Sequence, residues 1–442
     1  MSEVRFPIKP LSDLVTAIRD GTHGTHRRVT EGVPLLSAKN ITANGEIAID
    51  ETDDLISEAE YQDLTRSFQL EPNDLLLTIV GSLGRRAIYS GQRVTFQRSV
   101  AYIRPQQRKI GSRFLFHWMG HPWFSAELAR RSNATAQAGL YLGELAKVSV
   151  PVPDVPEQSK IAQILDTLDT AIRETEALIS KLKSVKQGLL HDLLTRGIDA
   201  NGQLRPPQSE APQFYKESPL GWIPREWDAL PLDTVAVRGS GHTPSKNVSS
   251  YWNGGIKWVS LADSHRLDKI YIYETDKEIS ELGIANSSAV LHPGGTVILS
   301  RDAGIGKSAI LGCEMAVSQH FMAWRCGEGL NNLFLYFYLQ REKPKFEAIA
   351  MGSTIKTIGL PFFKGYKIAA PSRQEQDRAA SILMEAELSL AAHDAELEKL
   401  RQQKSGLMDD LLTGRVRVTL LLESLQQAST PIVQQPAAQT EA

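Results

Sequence analysis

The sequence predicts an α+β protein in which two mixed α/β blocks alternate with two long coiled-coil helices, the whole forming a pseudo-two-fold internal repeat. Three observations predict it. Residues 156–196 carry apolar side chains at alternating steps of four and three, the heptad signature of a long helix. The same stretch returns 218 residues later, from Gln374, without a gap. The segments ahead of each copy break into short apolar runs bounded by Gly, Pro, Asn and Asp, as strands and turns do. A chain of 442 residues is also too long for a single core.

The first block spans residues 1–155. Its runs VPLLSAKNI, DLLLTIV, AIYSG and SVAYIRP read as strands, and FLFHWMGHPWFSAELARR as helix broken at Pro122. Its charges are sorted along the chain. From Glu46 to Asp74 there are ten acidic residues and one basic one, Arg66; from Leu75 to Ala126 there is no acidic residue but eight basic ones. Such sorting suits a block with one basic face, the footprint of a nucleic-acid binder. The other reading is a surface on which the charges interleave.

The first long helix, residues 156–196, presents Ile161, Leu165, Leu168, Ile172, Ile179, Leu182, Leu189 and Leu193 on one stripe. Asp154 stands three residues before Glu157, a capping-box spacing, and Pro156 suits a first helical turn. Gly197 is the stop. At about 1.5 Å per residue the helix would be roughly 60 Å long. Residues 197–226, GIDANGQLRPPQSEAPQFYKESPLGWIPRE, read as a linker too polar and broken for a core.

The second block, residues 227–371, is a remote copy of the first. Pro10-Leu11 matches Pro231-Leu232, GVPLLS matches GIKWVS, LEPNDLLLTI matches LHPGGTVILS, GRRAI matches GKSAI, and Gln97 matches Gln319. The second long helix, residues 372–414, repeats the first with Leu383, Leu390, Leu397, Leu400, Leu407 and Leu411, and Ser372 stands three before Glu375. Polar positions repeat too, Thr175 with His393 and Lys186 with Lys404. Two helices in one register are expected to pack on each other, in parallel or antiparallel. Gly188 and Gly406 share a position and each costs about 1 kcal/mol inside a helix, which points to a close approach of backbones. The two lysines suit solvated edges. Residues 415–442 read as a flexible tail.

Composition narrows the function. The apolar fraction is 42% and the net charge −2, values of an ordinary globular protein. No apolar run has membrane-spanning length, and the first ten residues lack the apolar centre of a signal peptide. Cys313 and Cys326 have no metal spacing and suit a reducing compartment, so a cytoplasmic protein is expected. The run Gly304-Ile305-Gly306-Lys307-Ser308 suggests a phosphate loop, but Arg301 stands where that loop needs Gly, and a strand-like run follows. It reads as a glycine turn between strands with an exposed basic tip, like Gly84-Arg85-Arg86. His23 and His26 lack a third ligand, and His117 and His121 suit core packing or an end cap. No metal, cofactor or active site of this chain's own is expected.

Basic and amide residues gather in the loops of both blocks. In the first these are His23, His26, Arg27, Arg28, Lys39, Asn40, Arg85, Arg86, Gln97, Arg98, Asn133 and Gln137. In the second they are His242, Lys246, Asn247, His265, Arg266, Arg301, Lys307, Gln319, His320, Thr354 and Lys356. Arg and Lys suit phosphates and guanine edges, Asn and Gln suit adenine.

The organisation resembles the DNA-specificity subunits of type I restriction–modification systems. The resemblance rests on Pro151, Pro153, Glu157 and Gln158 at the first helix start, Pro371, Glu375 and Gln376 at the second, and the helix ends GLLHDLLTRG and GLMDDLLTG. SPLGWIPREW and HTPSKNVSSYWNGGIKWVS add to it; the first block lacks a SPLGWIP-type lead-in. The resemblance implies two target-recognition domains reading the halves of a bipartite double-stranded DNA site, and an antiparallel helical spacer. It also implies two modification subunits using S-adenosylmethionine and two restriction subunits using ATP and Mg. Two rivals remain: a coiled-coil scaffold that binds proteins, and a nucleotide hydrolase built on Lys307.

Overall fold

The computed structural model describes residues 5–67, 69–132, 139–351 and 357–419. It divides into two units: Met1–Glu176 with Ala395–Ala442, and Ala177–Asp394. Each unit thus holds one block and part of each long helix.

In the first unit, strand Ile8–Pro10 pairs antiparallel with Ser149–Pro151, so the block opens and closes beside the start of the first long helix. A four-stranded antiparallel sheet follows in the order Val15–Asp20, Val100–Pro105, Leu75–Thr78, Arg86–Ile88. A smaller sheet orders Leu55–Ile56, Val33–Leu36 and Thr95–Phe96, the last two parallel. Leu75, Leu77 and Ile103 alternate onto the core side of the larger sheet, where Phe114, Leu115, Ile161, Leu165, Leu411 and Leu412 join them. Burying both helices against one sheet face is what orders them here.

The second unit repeats this plan strand for strand. Asp228–Pro231 pairs with Lys367–Ala370. The larger sheet orders Ala236–Ser240, Phe321–Cys326, Val297–Ser300 and Ser308–Leu311, with Tyr271–Ile272 added at the end. The smaller orders Lys277–Ile279, Trp252–Val259 and Met315–Val317, again with one parallel pairing, and adds Leu291–His292. Its core joins Trp227, Leu299, Trp324, Phe334 and Phe346 to Leu193, Ala379 and Leu383 of the long helices.

The long helices run Val155–Leu193 and Arg373–Leu412, stopping slightly short of 196 and 414 because their last residues turn toward glycines of positive φ, Gly197 at +64° and Gly414 at +76°. At Gly197 a Cβ would lie 2.2 Å from Glu375 Oε1 and 2.4 Å from the Trp227 ring, so both conformation and space require glycine. The helices are antiparallel within each unit. In the first, Asp169 meets Lys404 while Glu176 meets Arg401. In the second, Lys186 meets Glu387, and Arg378 reaches the Ala200 carbonyl just beyond the first helix. None of the stripe residues is exposed: Ile161, Leu165, Ile179, Leu193, Leu383, Leu390, Leu397 and Leu411 are buried, and Leu168, Ile172, Leu182, Leu189, Leu400 and Leu407 half-buried.

Several expectations need correction. Gly188 and Gly406 are exposed, and a Cβ on either would meet nothing within 4 Å, so they mark no close approach. Lys186 and Lys404 are half-buried ion-pair partners rather than solvated edges. The 197–226 segment is structured: Tyr215–Ser218 and Gly221–Pro224 form a hairpin, and Ile198 and Ile223 join the second unit's core. Its apolar residues were too scattered to show a period. The beginning of the 415–442 tail is likewise anchored, through Arg417 and Val418; residues 420–442 lie outside the described ones.

The capping boxes are only half made. Asp154 Oδ1 accepts from Glu157 N at 2.9 Å and Ser372 Oγ from Glu375 N at 3.3 Å. The glutamates do not complete the boxes but turn to the segment leaving the other helix. Glu157 accepts from Arg417 and from Val418 N, and Glu375 from Arg205, Ile198 N and Trp227 Nε1. The adjoining glutamines tie each helix to its own block. Gln158 donates to the carbonyls of Lys109 and Pro153 and accepts from Gly111 N; Gln376 donates to those of Gly329 and Pro371 and accepts from Asn331 N.

Candidate nucleic-acid interface

The sorted charges of the first block fold against one another. Arg93 pairs with Glu58, Arg104 with Glu71 and Asp74, Lys39 with Asp53 and Arg28 with Asp54. A single basic face therefore does not form from these residues, because the acidic 46–74 segment supplies their partners. Arg27 and Arg98 are exposed and, among the described residues, have no ion-pair partner, which leaves them available to a polyanion.

The two glycine turns are as expected in backbone, with Gly84 at φ +85° and Gly306 at +81°. Their basic side chains are not exposed tips. Arg86 turns inward, donates to the Phe116 carbonyl at 2.7 Å and lies 4.7 Å over the Phe116 ring, and burial pushes its guanidinium down to about 10. Lys307 donates to Ser264 O at 3.0 Å and is followed by strand Ser308–Leu311 rather than a helix, so no phosphate loop forms. Arg85 is half-buried beside the first turn.

Other candidates are placed as follows. His26 is half-buried between Thr22 and Glu60, and His23 pairs with Asp20. Asn40 is buried, accepting from Ser37 N and donating to the Ala48 carbonyl, so its amide is taken up by the fold. Thr22 bridges Gln97 in a parallel β-bridge, bringing the His23 loop beside Gln97 and Arg98. His265 and Arg266 sit in the turn that receives Lys307. Arg301 is half-buried near Asp302. Asn133, Gln137, Thr354 and Lys356 lie outside the described residues.

In the second block three candidates converge. Lys246, Gln319 and His320 line one cavity of about 630 Å³ with Thr243, Trp252, Asn253, Trp258, Ser260 and Lys277. His242 stands next to it, its backbone bonded to Val317 and its carbonyl accepting from Trp258 Nε1, and Asn247 is exposed after Lys246. Trp252 and Trp258 meet edge to face at 5.3 Å and form the aromatic wall. Sequence reasoning missed Thr243, the tryptophans and Lys277; only the strand period of the YWNGGIKWV stretch could have set the two tryptophans on one side.

The histidines of the first block's helices serve the fold. His121 Nδ1 accepts from Trp123 N and caps Pro122–Arg131. His117 is buried and bonds Asp166 at 2.7 Å. His117, Asp166 and Asp169 bring ligand-type atoms together, but Arg113 binds Asp166 and Lys404 binds Asp169, so their charge is balanced by the chain itself. Among the described residues no helix is long and apolar enough to cross a membrane.

Known proteins share this organisation. A chain assigned as the MjaX specificity subunit of a type I restriction enzyme in Methanocaldococcus jannaschii is 24% identical over 427 residues, covering 93% of this chain and 94% of that one. The MjaIX specificity subunit of the same organism is 31% identical over 172 residues, covering 38% of this chain and 40% of that one. The solved type I restriction–modification S subunit from M. genitalium shares the fold, with TM-score 0.58 and 13% identity over 93% of this chain and 97% of that one. The profile of the type I restriction modification DNA specificity domain matches twice, at residues 7–184 and 224–402, so each match takes in one block and most of the long helix that follows it. The chain belongs to the type I restriction–modification DNA-specificity family.

Proposed function

We propose that this chain is the DNA-reading subunit of a type I restriction–modification system, without catalytic activity of its own. The observation that carries the reading is the recurrence of one sheet plan in two blocks, each tied by a Gln to its own long helix. Two related readers suit two half-sites of one bipartite target, with the helix pair setting the unread gap. The chemistry belongs to partners: two modification subunits that methylate adenine with S-adenosylmethionine, and two restriction subunits driven by ATP and Mg. The assembly works in the cytoplasm, where its DNA lies.

The test is to co-produce the chain with its modification subunits in a host lacking them and to map methylated adenines across the genome. The expected result is a split motif with a fixed gap, of which exchange of residues 1–155 alters one half only. A protein-binding scaffold would leave no motif and would show no steep salt dependence of DNA binding.

A further inference from the structure

A chain of side-chain hydrogen bonds crosses the second block and ends on an exposed amide at the cavity mouth. Thr357 and His320 both bond Asp302. Asp302 is half-buried; burial would raise its carboxyl, but the hydrogen bonds from Thr357 and His320 hold it below the usual carboxylate value. An ionised carboxylate only accepts, so His320 Nδ1 is the donor to it, and in the neutral imidazole Nε2 is then the acceptor. Facing that nitrogen at 3.4 Å is Gln319 Nε2. On the other side, Thr243 Oγ1 donates to Gln319 Oε1 at 2.6 Å.

These contacts fix which way round the amide sits. The nitrogen points to the imidazole acceptor and the oxygen to the hydroxyl; a flipped amide would set its oxygen against the Nε2 lone pair, whereas the hydroxyl, which can donate or accept, acts as donor in this orientation. One Nε2 proton and one Oε1 lone pair are left over, on an exposed residue at the mouth of a cavity that also carries Lys246 and Lys277. A donor and an acceptor side by side match N7 and the N6 amino group of adenine in the major groove, and neither guanine, which offers two acceptors there, nor a pyrimidine.

We propose that Gln319 reads an adenine of the half-site bound by the second block, and that Thr243, His320 and Asp302 are positioning residues that hold its amide in the reading orientation. This rests on the DNA-reading function proposed above and names one base contact within it. The matching residue of the first block, Gln97, is half-buried and followed by Arg98 instead of a histidine, so the relay belongs to the second block alone. Lys246 and Lys277 bring positive charge to the cavity, where phosphate contacts would add affinity without choosing a base.

The experiment uses the full chain assembled with its modification subunits. Genome-wide methylation mapping first gives the wild-type motif, and exchange of residues 227–371 marks the half that this block reads. Gln319→Ala is then expected to relax one adenine position in that half by roughly 10- to 100-fold and to leave the other half unchanged. Gln319→Glu shifts the preference at that position toward cytosine, whose N4 amino group a carboxylate accepts. Thr243→Val relaxes the same position and no other, which a general folding defect would not do. In binding to duplexes carrying the mapped motif, 7-deazaadenine at that position weakens the wild type about as much as Gln319→Ala does, and does not weaken the variant further. Equal penalties from 7-deazaadenine on both proteins, an unchanged motif, or a uniform loss of binding to all sequences would overturn the assignment. A wild-type chain that yields no split motif overturns the DNA-reading function as well, so the two failures are told apart.

Discussion

Lys404 ion-pairs with Asp169 across the long helices, and the offset of 218 residues that relates the two halves carries this pair onto Glu387 and Lys186, which also pair. All four side chains are about one-quarter exposed or less, between 21% and 26%. The antiparallel register is therefore marked twice, once in each unit, by one charge arrangement.

Removing one partner of such a half-buried pair should cost more than at an exposed site and less than in a dry core, about 1–2 kcal/mol. Lys404→Ala and Asp169→Ala are each expected to lower stability by that amount in urea unfolding, and the double variant by less than their sum. The exchanged pair, Lys404→Asp with Asp169→Lys, recovers much of the loss. Additive single effects would show that the pair contributes nothing.

Gly188 and Gly406 are helical, exposed and open to a Cβ. Gly188→Ala and Gly406→Ala should each stabilise the chain by about 1 kcal/mol, because alanine loses less backbone entropy on forming helix. Thermal unfolding checks this: both midpoints rise. A fall would mean that something in the assembly needs the glycines.

The Glu375 carboxylate receives Arg205, the Ile198 N–H and the Trp227 indole, and it is about one-tenth exposed. Glu375→Ala leaves two N–H groups with no acceptor and Arg205 with only Glu226 and the Arg196 carbonyl, and is expected to cost about 3 kcal/mol. Hydrogen exchange should show the loss in 197–227 and around the start of the second long helix. Its counterpart Glu157→Ala should cost somewhat less, since Arg417 is about half exposed and regains water.

Burial holds the His117 imidazole below its ordinary 6.5, despite the hydrogen bond to Asp166 and the nearby Asp169, and Lys404 lowers it further. The unfolded histidine therefore takes up a proton first as pH falls. Its share of stability is complete above about 6.5 and declines below that, by up to about 1.4 kcal/mol per pH unit for one proton. For Asp166 the cause differs: burial would raise it, but His117 and Arg113 hold it below the ordinary 3.8, so its contribution is complete above that value and is lost as pH falls from there through the depressed one. Counting from the backbone N–H that each Gln accepts, the second half has Phe337 in place of His117, and Met384 in place of Asp166. The double variant His117→Phe with Asp166→Met should flatten the stability profile just below pH 6.5 by up to one proton's slope. His121 and His292, which burial also lowers, keep the rest.

What could be read from the sequence was what is local and periodic. The two long helices, their common register and the strands VPLL, LLLT and VAYIRP were visible because apolar spacing in the chain is spacing on a face. The Glu-Gln pairs were visible as a repeat but not in their role, since the partners of Gln158 lie at Lys109 and Gly111 and those of Glu375 at Ile198 and Arg205, contacts that only the folded chain makes. Among the loop residues the type was legible and the direction was not. Asn40 and Arg86 have the chemistry of base and phosphate readers, and the fold turns both inward. Gln319 has the same chemistry, and its neighbours Thr243 and His320 hold it outward.

The division of the chain has a consequence for its synthesis. The second unit, Ala177–Asp394, is one continuous stretch, whereas the first needs Ala395 onward to finish what Met1–Glu176 began. Until Met408, Leu411, Leu412 and Val418 have left the ribosome, Ile161, Leu165 and the sheet face around Leu75 lack part of their apolar cover. Domains generally fold as units while the chain is made, so the half encoded second should complete its fold first, and the half encoded first should be the last to close.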